Sequence, residues 1–409
     1  MNMATLKPVI GMASACLVAA AITATPAMAA EQELSRSTYK QLSDARDLMQ
    51  AKEYDKAVLK LESLLADTEK RYDRAIVLQT QGYALLESGE QASAINAFEQ
   101  SLALKALPAE AAQQVQHTVG QLYAADGQYA KAAKALEAWF DGNAGQAKAT
   151  DYALLANVYA QTRSFTKGIA AISRAIRLES QPNKQYYDLL LALTFEAERY
   201  DQAARALEDM IGIWPDETGY WTQLANVYLN DNKASKAHTV MKLAYEKGLL
   251  TTESDLKNLV QLAMSVDLPF HAARVLQDGM QNGRIASNNE HWELLAVAWA
   301  RAKETDQAID AYGKVAQLSG SGEAHLRQAE LYMQNDEWQK VITATDQALK
   351  LGKLKSPGRA HLLRGMAYTQ MREYPQGLDA FGEARRYDDT ASTATRWVQY
   401  IRQRQQVES

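Results

Sequence analysis

Histidine is the residue type in this chain best suited to metal binding or acid–base catalysis. The 409-residue sequence contains six histidines, and no two stand four residues apart, the spacing that places two ligands on one helix face. None of them adjoins a run of carboxylates, and the motifs of zinc proteases, serine hydrolases, phosphate-binding loops and dinucleotide sites are absent. We therefore expect no catalytic residue, no metal site and no cofactor. Surface or groove positions are expected for the histidines, which are His117, His238, His271, His291, His325 and His361.

The composition excludes several classes of protein. The chain is 47% hydrophobic and 23% charged, close to a globular average, which disfavours both disorder and a multi-span membrane protein. Its formal net charge of −5 gives no reason to expect nucleic acid as a partner. Only 8 residues are proline, and no stretch alternates Val, Ile or Thr with polar residues, so the sequence favours helix throughout.

Residues 1–29 have the pattern of a cleavable secretory signal. Lys7 precedes an uncharged apolar run at 9–24, and small residues at Ala27 and Ala29 suit a signal peptidase, so we expect the mature chain to begin at Ala30. The only cysteine, Cys16, could alternatively be a lipoprotein acylation site. The apolar run continues beyond it, however, whereas a lipoprotein cysteine closes that run. Cleavage near Ala29 would leave no cysteine, which suits an oxidising compartment.

Pairs of small or apolar residues recur twelve positions apart along nearly the whole chain. Three residues after the first member, and four after the second, come bulky residues that share one stripe of a helix. Successive pairs are 33 to 38 residues apart in most of the chain, and a tenth, less regular repeat lies around Val260 and Ala272. The pairs are Ala45/Ala57, Gly82/Ala94, Gly120/Ala132, Ala156/Gly168, Leu191/Ala203, Ala225/Ala237, Ala296/Ala308, Ala329/Val341 and Gly365/Gly377.

This pattern resembles the tetratricopeptide repeat, a helix hairpin of about 34 residues. The best match is Trp221, Leu224, Ala225 and Tyr228 followed by Ala237 and Met241. The resemblance implies an all-α, right-handed α-solenoid of about ten repeats. We expect a lead-in at 30–37, the superhelix at 38–387, and a C-terminal capping helix and tail at 388–409. The arginines of that last segment could instead contact a partner or an acidic lipid surface; they are Arg396, Arg402 and Arg404.

The resemblance also implies a concave wall built by the first helix of each repeat. The residue after the first small position is Asn157 in the fourth repeat and Asn226 in the sixth, and an inward amide can bind the backbone of an extended peptide. Alternatively, these are surface asparagines without a partner. The remaining inward candidates form a mixed, mildly acidic wall suited to a segment with some basic residues; they are Asp188, Glu196, Glu293, Arg301, Glu330 and Gln334.

Two stretches extend the resemblance to a narrower group. "YEKGLLTTESDLKNLVQLAMSVDLPFHAARVLQDGM" and "HWELLAVAWARAKETDQAIDAYGKVA" are similar to the tetratricopeptide proteins of Gram-negative TonB systems. This similarity implies a periplasmic, non-enzymatic scaffold that binds the TonB, ExbB or ExbD components, with at most peripheral membrane association and no small-molecule substrate. It would assist energised uptake of iron chelates such as siderophores through the outer membrane.

Two other functions remain open at this stage. The chain could be a periplasmic scaffold for envelope assembly, in polysaccharide export, pilus biogenesis or outer-membrane protein insertion. It could also be a soluble carrier or chaperone for peptides.

Overall fold

The computed structural model of the protein describes residues 33–408. The expected leader at 1–29, including Cys16, lies outside these residues, as does the start of the expected lead-in. Residues 33–408 are helical with short connections and contain no strand. They divide into an N-terminal unit that ends at Ile213 and a C-terminal unit that begins at Trp214. The predicted all-α array of helix hairpins is confirmed, whereas its right-handed coiling stays a prediction.

Each unit holds five helix hairpins. In the N-terminal unit, hairpins 1 to 5 are α1 (Arg36–Gln50) with α2 (Tyr54–Ala66), α3 (Arg71–Glu87) with α4 (Gln91–Ala103), α5 (Ala109–Ala125) with α6 (Tyr129–Asn143), α7 (Ala149–Gln161) with α8 (Phe165–Leu178), and α9 (Lys184–Glu196) with α10 (Tyr200–Ile213).

In the C-terminal unit, a last helix follows the five hairpins. Hairpins 6 to 10 are α11 (Thr218–Asn230) with α12 (Ala234–Glu246), α13 (Glu253–Ser265) with α14 (Pro269–Gln281), α15 (Asn289–Arg301) with α16 (Thr305–Ser319), α17 (Glu323–Gln334) with α18 (Trp338–Leu351), and α19 (Pro357–Gln370) with α20 (Tyr374–Ala384), before α21 (Asp388–Glu408).

One turn geometry closes all ten hairpins. The first helix ends at a residue with a positive φ, which is glycine in only two hairpins and a residue such as Asn232 or Lys303 in most. The next N–H then donates to a carbonyl five residues back, as Lys233 does to Tyr228 at 2.7 Å and Glu304 to Trp299 at 3.0 Å. This arrangement is the Schellman motif, which satisfies carbonyls at the end of the first helix and reverses the chain.

Small residues set the contact between the two helices of a hairpin. Ala296 and Ala308, one such pair, are both fully buried. At Gly82 and Gly365 an added Cβ would lie 2.5 Å from the Phe98 ring and 2.7 Å from the Phe381 ring, respectively. Each hairpin then packs its even-numbered helix against the odd-numbered helix that follows, within each unit. A hairpin therefore buries its apolar face only through its neighbours.

Tyrosine, lysine and glutamate strengthen the stacking at some of these contacts. In hairpin 4 the Tyr159 hydroxyl donates to Glu137 of hairpin 3 at 2.7 Å, and Lys167 Nζ binds the same carboxylate at 2.7 Å. Lys167 also lies over the Tyr159 ring, 5.4 Å from its centre, which adds a cation–π contact. The same cation–π contact recurs in three other hairpins, where Lys131 lies over Tyr123, Lys236 over Tyr228 and Lys340 over Tyr332.

The α21 helix covers the end of the last hairpin. Ala394 and Ile401 are fully buried, and the Trp397 ring stacks on Phe381 at a centroid distance of 5.7 Å. The opposite side of the helix is solvated, and Arg396, Arg402 and Arg404 are exposed on it.

Two glycine substitutions in hairpin 10 test the small-residue contact. We expect Gly365→Ala to lower the free energy of unfolding by about 1–3 kcal/mol through overpacking, since the Phe381 ring is fully buried and cannot move aside. Gly382→Ala on α20 is the matched control, because no atom lies within 4 Å of its added Cβ, and it should raise stability by up to about 1 kcal/mol. Urea unfolding measures both. Equal effects of the two substitutions would contradict this account.

Candidate functional site

The odd-numbered helices form one face of each unit. Neighbouring odd-numbered helices approach one another directly, as α1 does α3, α7 does α9, and α17 does α19. In several hairpins a residue one beyond the first small position, such as Asn226, or three before it, such as Glu293, is exposed on this face. We call it the odd-helix face. Its side chains decide what it can bind.

In the N-terminal unit, two of the three predicted site residues are half-buried, and one of these two is hydrogen-bonded within the protein. Asn157 is half-buried, and its Nδ2 donates to the carbonyl of Ala153 on the same helix at 2.9 Å. Asp188 is also half-buried, and burial raises the pKa of its carboxyl group while Lys184 partly offsets that effect. Glu196, at the end of α9, is exposed. The amide of Asn157 therefore keeps its oxygen, but not all of its hydrogens, for a ligand.

In the C-terminal unit, three predicted residues are exposed and have no side-chain partner among the described residues. They are Asn226 on α11, Glu293 on α15 and Gln334 on α17. A neutral amide can both donate and accept, and an unpaired carboxylate can accept from a cation. This unit therefore offers free hydrogen-bonding groups on three of its odd-numbered helices.

The other two predicted residues are held by ion pairs within the protein. Arg301 donates to Asp267, in the turn of hairpin 7, at 2.8 Å. Glu330 is bound by Arg327 at 2.9 Å and by Arg359 of hairpin 10 at 2.6 Å, and its side chain is only 18% exposed. These charges link neighbouring hairpins, so they are less available to a partner than the sequence suggested.

The structure adds an open, shallow cleft along α13 alone, which the sequence analysis did not select. It has a volume of 330 Å³ and is lined by Glu253, Ser254, Lys257, Asn258 and Gln261. Hairpin 7 fits the repeat pattern poorly, which makes its inward positions hard to recognise in the sequence. Counting from Val260 in the usual register gives Lys257 and Gln261, so a signal existed in the sequence.

Expecting surface or groove positions was wrong for two histidines, which are buried. His238 is 4% exposed and His291 is 2% exposed. His238 Nε2 lies 3.1 Å from Nδ1 of His271 in the next hairpin, so two histidines 33 residues apart in the chain are hydrogen-bonded. His117 Nε2 likewise lies 3.0 Å from Oδ1 of Asp151 in the following hairpin, and its ring centre lies 4.3 Å from that of Trp139 at an interplanar angle of 32°. The contacts of His238 with His271 and of His117 with Asp151 each join two neighbouring hairpins.

Two absences among the described residues bear on the site. Between residues 33 and 408, no helix combines the length and apolar character that crossing a bilayer requires. No group of three His, Cys, Asp or Glu side chains in that range is placed to hold a metal ion.

The described helices form an array of helix hairpins, and several solved structures are similar to parts of it. These include a tetratricopeptide repeat protein from Parabacteroides merdae (12% identity, 64% of this chain and 99% of that chain, TM-score 0.36) and residues 41 to the end of MamA from Desulfovibrio magneticus (20% identity, 45% of this chain and 99% of that chain, TM-score 0.35). The Cut9–Hcn1 structure matches over 89% of this chain at 11% identity and a TM-score of 0.30.

Sequence comparison gives a partial relative. The β-barrel assembly-enhancing proteases of Escherichia coli K12 and Shigella flexneri are 29% identical to this chain over 143 residues. The match spans 35% of this chain and only 28% of those proteins. No protein-family model matches the sequence.

The His238–His271 contact makes the C-terminal unit sensitive to acid. Burial lowers the pKa of both imidazoles, Lys242 lowers it further, and Glu246 partly offsets this at His271. The folded state therefore binds protons at these two histidines less readily than the unfolded chain does. Their contribution to the free energy of unfolding is complete above about pH 6.5 and is lost as the pH falls below that value. We expect the urea midpoint of the wild type to fall between about pH 7.5 and about pH 5.5 by more than that of His271→Asn. The same pH dependence in both proteins would contradict this expectation.

Proposed function

We propose that the chain is a non-enzymatic scaffold that binds segments of other proteins on its odd-helix faces. The observation that carries this proposal is the set of exposed, unpaired groups in the C-terminal unit, Asn226, Glu293 and Gln334, beside the cleft on α13. These three side chains are exposed and are not needed to stack the hairpins. They are therefore free to recognise a partner.

The chemistry of this surface suits an extended or helical segment with some basic residues. The amides of Asn226, Asn258 and Gln261 can pair with main-chain N–H and C=O groups. Glu293 can pair with a lysine or arginine of the partner, since no cation of the described chain binds it. Glu330 and Arg301 contribute less, because breaking their ion pairs would offset what a partner supplies.

We further propose that this scaffold is exported to the periplasm and serves a TonB–ExbB–ExbD system. The sequence stretches at 245–280 and 291–316 support this assignment by their resemblance to the tetratricopeptide proteins of such systems. Its role would be bridging: the array holds a segment of one component within reach of another during energised uptake of iron chelates such as siderophores. This role requires no catalytic residue, cofactor or small-molecule substrate.

The partial relative favours a second candidate, a scaffold for envelope assembly. That relative is named for β-barrel assembly, and this chain matches 28% of it, so the match supports a shared binding part and does not transfer proteolysis. Polysaccharide export and pilus biogenesis belong to the same candidate class. A soluble peptide carrier or chaperone is a third possibility that the same odd-helix face allows.

A photo-crosslinking amino acid at position 226, in cells that produce the full chain, tests the proposal. We expect one protein to be captured, and we expect Glu293→Lys to reduce its capture by about tenfold, because this change removes the unpaired carboxylate. Asp310→Lys is the matched control, since Asp310 is exposed on the even-numbered helix α16, and it should leave capture unchanged.

The identity of the captured protein separates the candidates. TonB, ExbB or ExbD supports the energy-transduction assignment, and an outer-membrane assembly component supports the second candidate. Capture that is unchanged by Glu293→Lys, or equally reduced by Asp310→Lys, would show that the odd-helix face is not the binding surface.

A further inference from the structure

A second groove lies between two even-numbered helices of the C-terminal unit. It has a volume of 430 Å³, its walls are α16 and α18, and its floor is α17. We call it the α16–α18 groove. Its floor residues His325, Gln328 and Tyr332 recur at helical spacing on one side of α17, whereas Glu330 and Gln334 lie on the other side. The groove is therefore separate from the odd-helix face.

The groove exists because hairpin 9 replaces two packing residues with polar ones. In hairpins 6 and 8 the corresponding positions are Trp221 with Leu224 and Trp292 with Leu295. Trp221, Leu224 and Leu295 are buried, and Trp292 is half-buried. In hairpin 9 the same two positions, counted from Ala329, are His325 and Gln328. The smaller polar pair leaves space where hairpins 6 and 8 place an indole and an isobutyl group.

Hydrogen bonds fix this polar pair in one arrangement. Gln328 Nε2 donates to the carbonyl of Ile309 on α16 at 2.8 Å, so its Oε1 is the acceptor that faces His325. His325 Nδ1 lies 2.8 Å from that oxygen and therefore carries the hydrogen. In the neutral imidazole, Nε2 is then left with a lone pair. The floor of the groove is thus pre-organised.

Hairpin 10 also carries a polar pair at these positions, but one of its members is ion-paired with a neighbouring helix. Its corresponding residues are His361 and Arg364. There the neighbouring helix α18 supplies a partner, because Arg364 Nη1 donates to Asp346 at 2.8 Å. In hairpin 9 the walls supply no such charged partner, and the exposed amides of Gln317 and Gln347 stand at the sides instead.

The lining is rich in hydrogen-bonding groups and carries almost no net charge. It includes the amides of Gln317, Gln328 and Gln347 and the hydroxyl of Thr343, and it contains no carboxylate. Its one lysine, Lys340, is already paired with Glu337 and lies over the face of the Tyr332 ring, 5.3 Å from its centre. Because that ring face is covered, a sugar would lack an aromatic surface to stack on. An extended main chain, by contrast, needs the mixed donors and acceptors that glutamine amides provide.

We propose that the α16–α18 groove binds the main chain of an extended, uncharged protein segment. The exposed amides of Gln317 and Gln347 pair with its N–H and C=O groups from the two sides, and the small residues Gly313 and Ala344 allow its backbone to approach the helices. The protein would then hold two segments at once, one on the odd-helix face and one in this groove. Since no charge pair is involved, binding in the groove should be almost independent of salt.

The test uses the full chain and a phage-displayed library of random peptides. Selected peptides are labelled, and their affinity is measured by fluorescence anisotropy at about 50 and about 500 mM NaCl. The variant His325→Trp/Gln328→Leu restores the residues of hairpins 6 and 8 and fills the groove. It should unfold at or above the wild-type temperature and bind groove peptides about tenfold more weakly or worse. The variant Gln317→Ala/Gln347→Ala changes only exposed side chains and should weaken the binding of groove peptides by a similar factor. It provides the test if the filled variant fails to fold.

Support requires at least one peptide that both groove variants weaken, that Glu293→Lys leaves unchanged, and whose affinity changes less than about twofold with salt. Failure to select any peptide that depends on the groove would overturn the proposal. If the only selected peptides are ones whose binding is lost in Glu293→Lys, the groove proposal would also be overturned. Such peptides would instead support binding on the odd-helix face. The two proposals can therefore fail separately.

Discussion

Close approach of two helices at a pair of small residues is the constraint on which the rest of the structure depends. Ala296 and Ala308 are fully buried, and a Cβ added at Gly365 would overlap the Phe381 ring, so a larger side chain has no room at these positions. This contact brings the bulky residues on either side into a common stripe, and the stripe can be buried only against the next hairpin. Stability is therefore shared among neighbours, and the side chains that point away from these contacts are free to vary with function.

The fold could be predicted well because the constraint leaves a regular trace in the sequence. The twelve-residue spacing within a pair equals the path up one helix, round a turn and back. Even hairpin 7, whose sequence fits the pattern poorly, forms two ordinary helices, since Val260 and Ala272 keep the spacing and are both buried. The turns could not be predicted residue by residue, because the positive φ falls on Asn232, Lys303 or Arg372 as readily as on glycine.

The candidate site could be predicted only in part. Exposure of Asn226 and Glu293 follows from the register, but the pairing of Arg301 with Asp267 depends on a residue 34 positions away in the neighbouring hairpin. His238 and His271, 33 positions apart, meet for the same reason. Residues one repeat apart in sequence become neighbours in space, so a search at that separation would have found both contacts. The polar floor formed by His325 and Gln328 is likewise visible only when hairpins are compared position by position.

In the C-terminal unit, unpaired polar groups lie on the odd-helix face, and the α16–α18 groove lies on the other side. These two surfaces suit a protein that holds two protein segments at once. Hydrogen–deuterium exchange of the full chain, with and without the partner captured through position 226, tests the central claim most directly. The account predicts slower exchange in α11, α13 and α15 when the partner is bound, with the even-numbered helices α12 and α14 unchanged. Slower exchange confined to the even-numbered helices, or no change in any helix of the C-terminal unit, would contradict it.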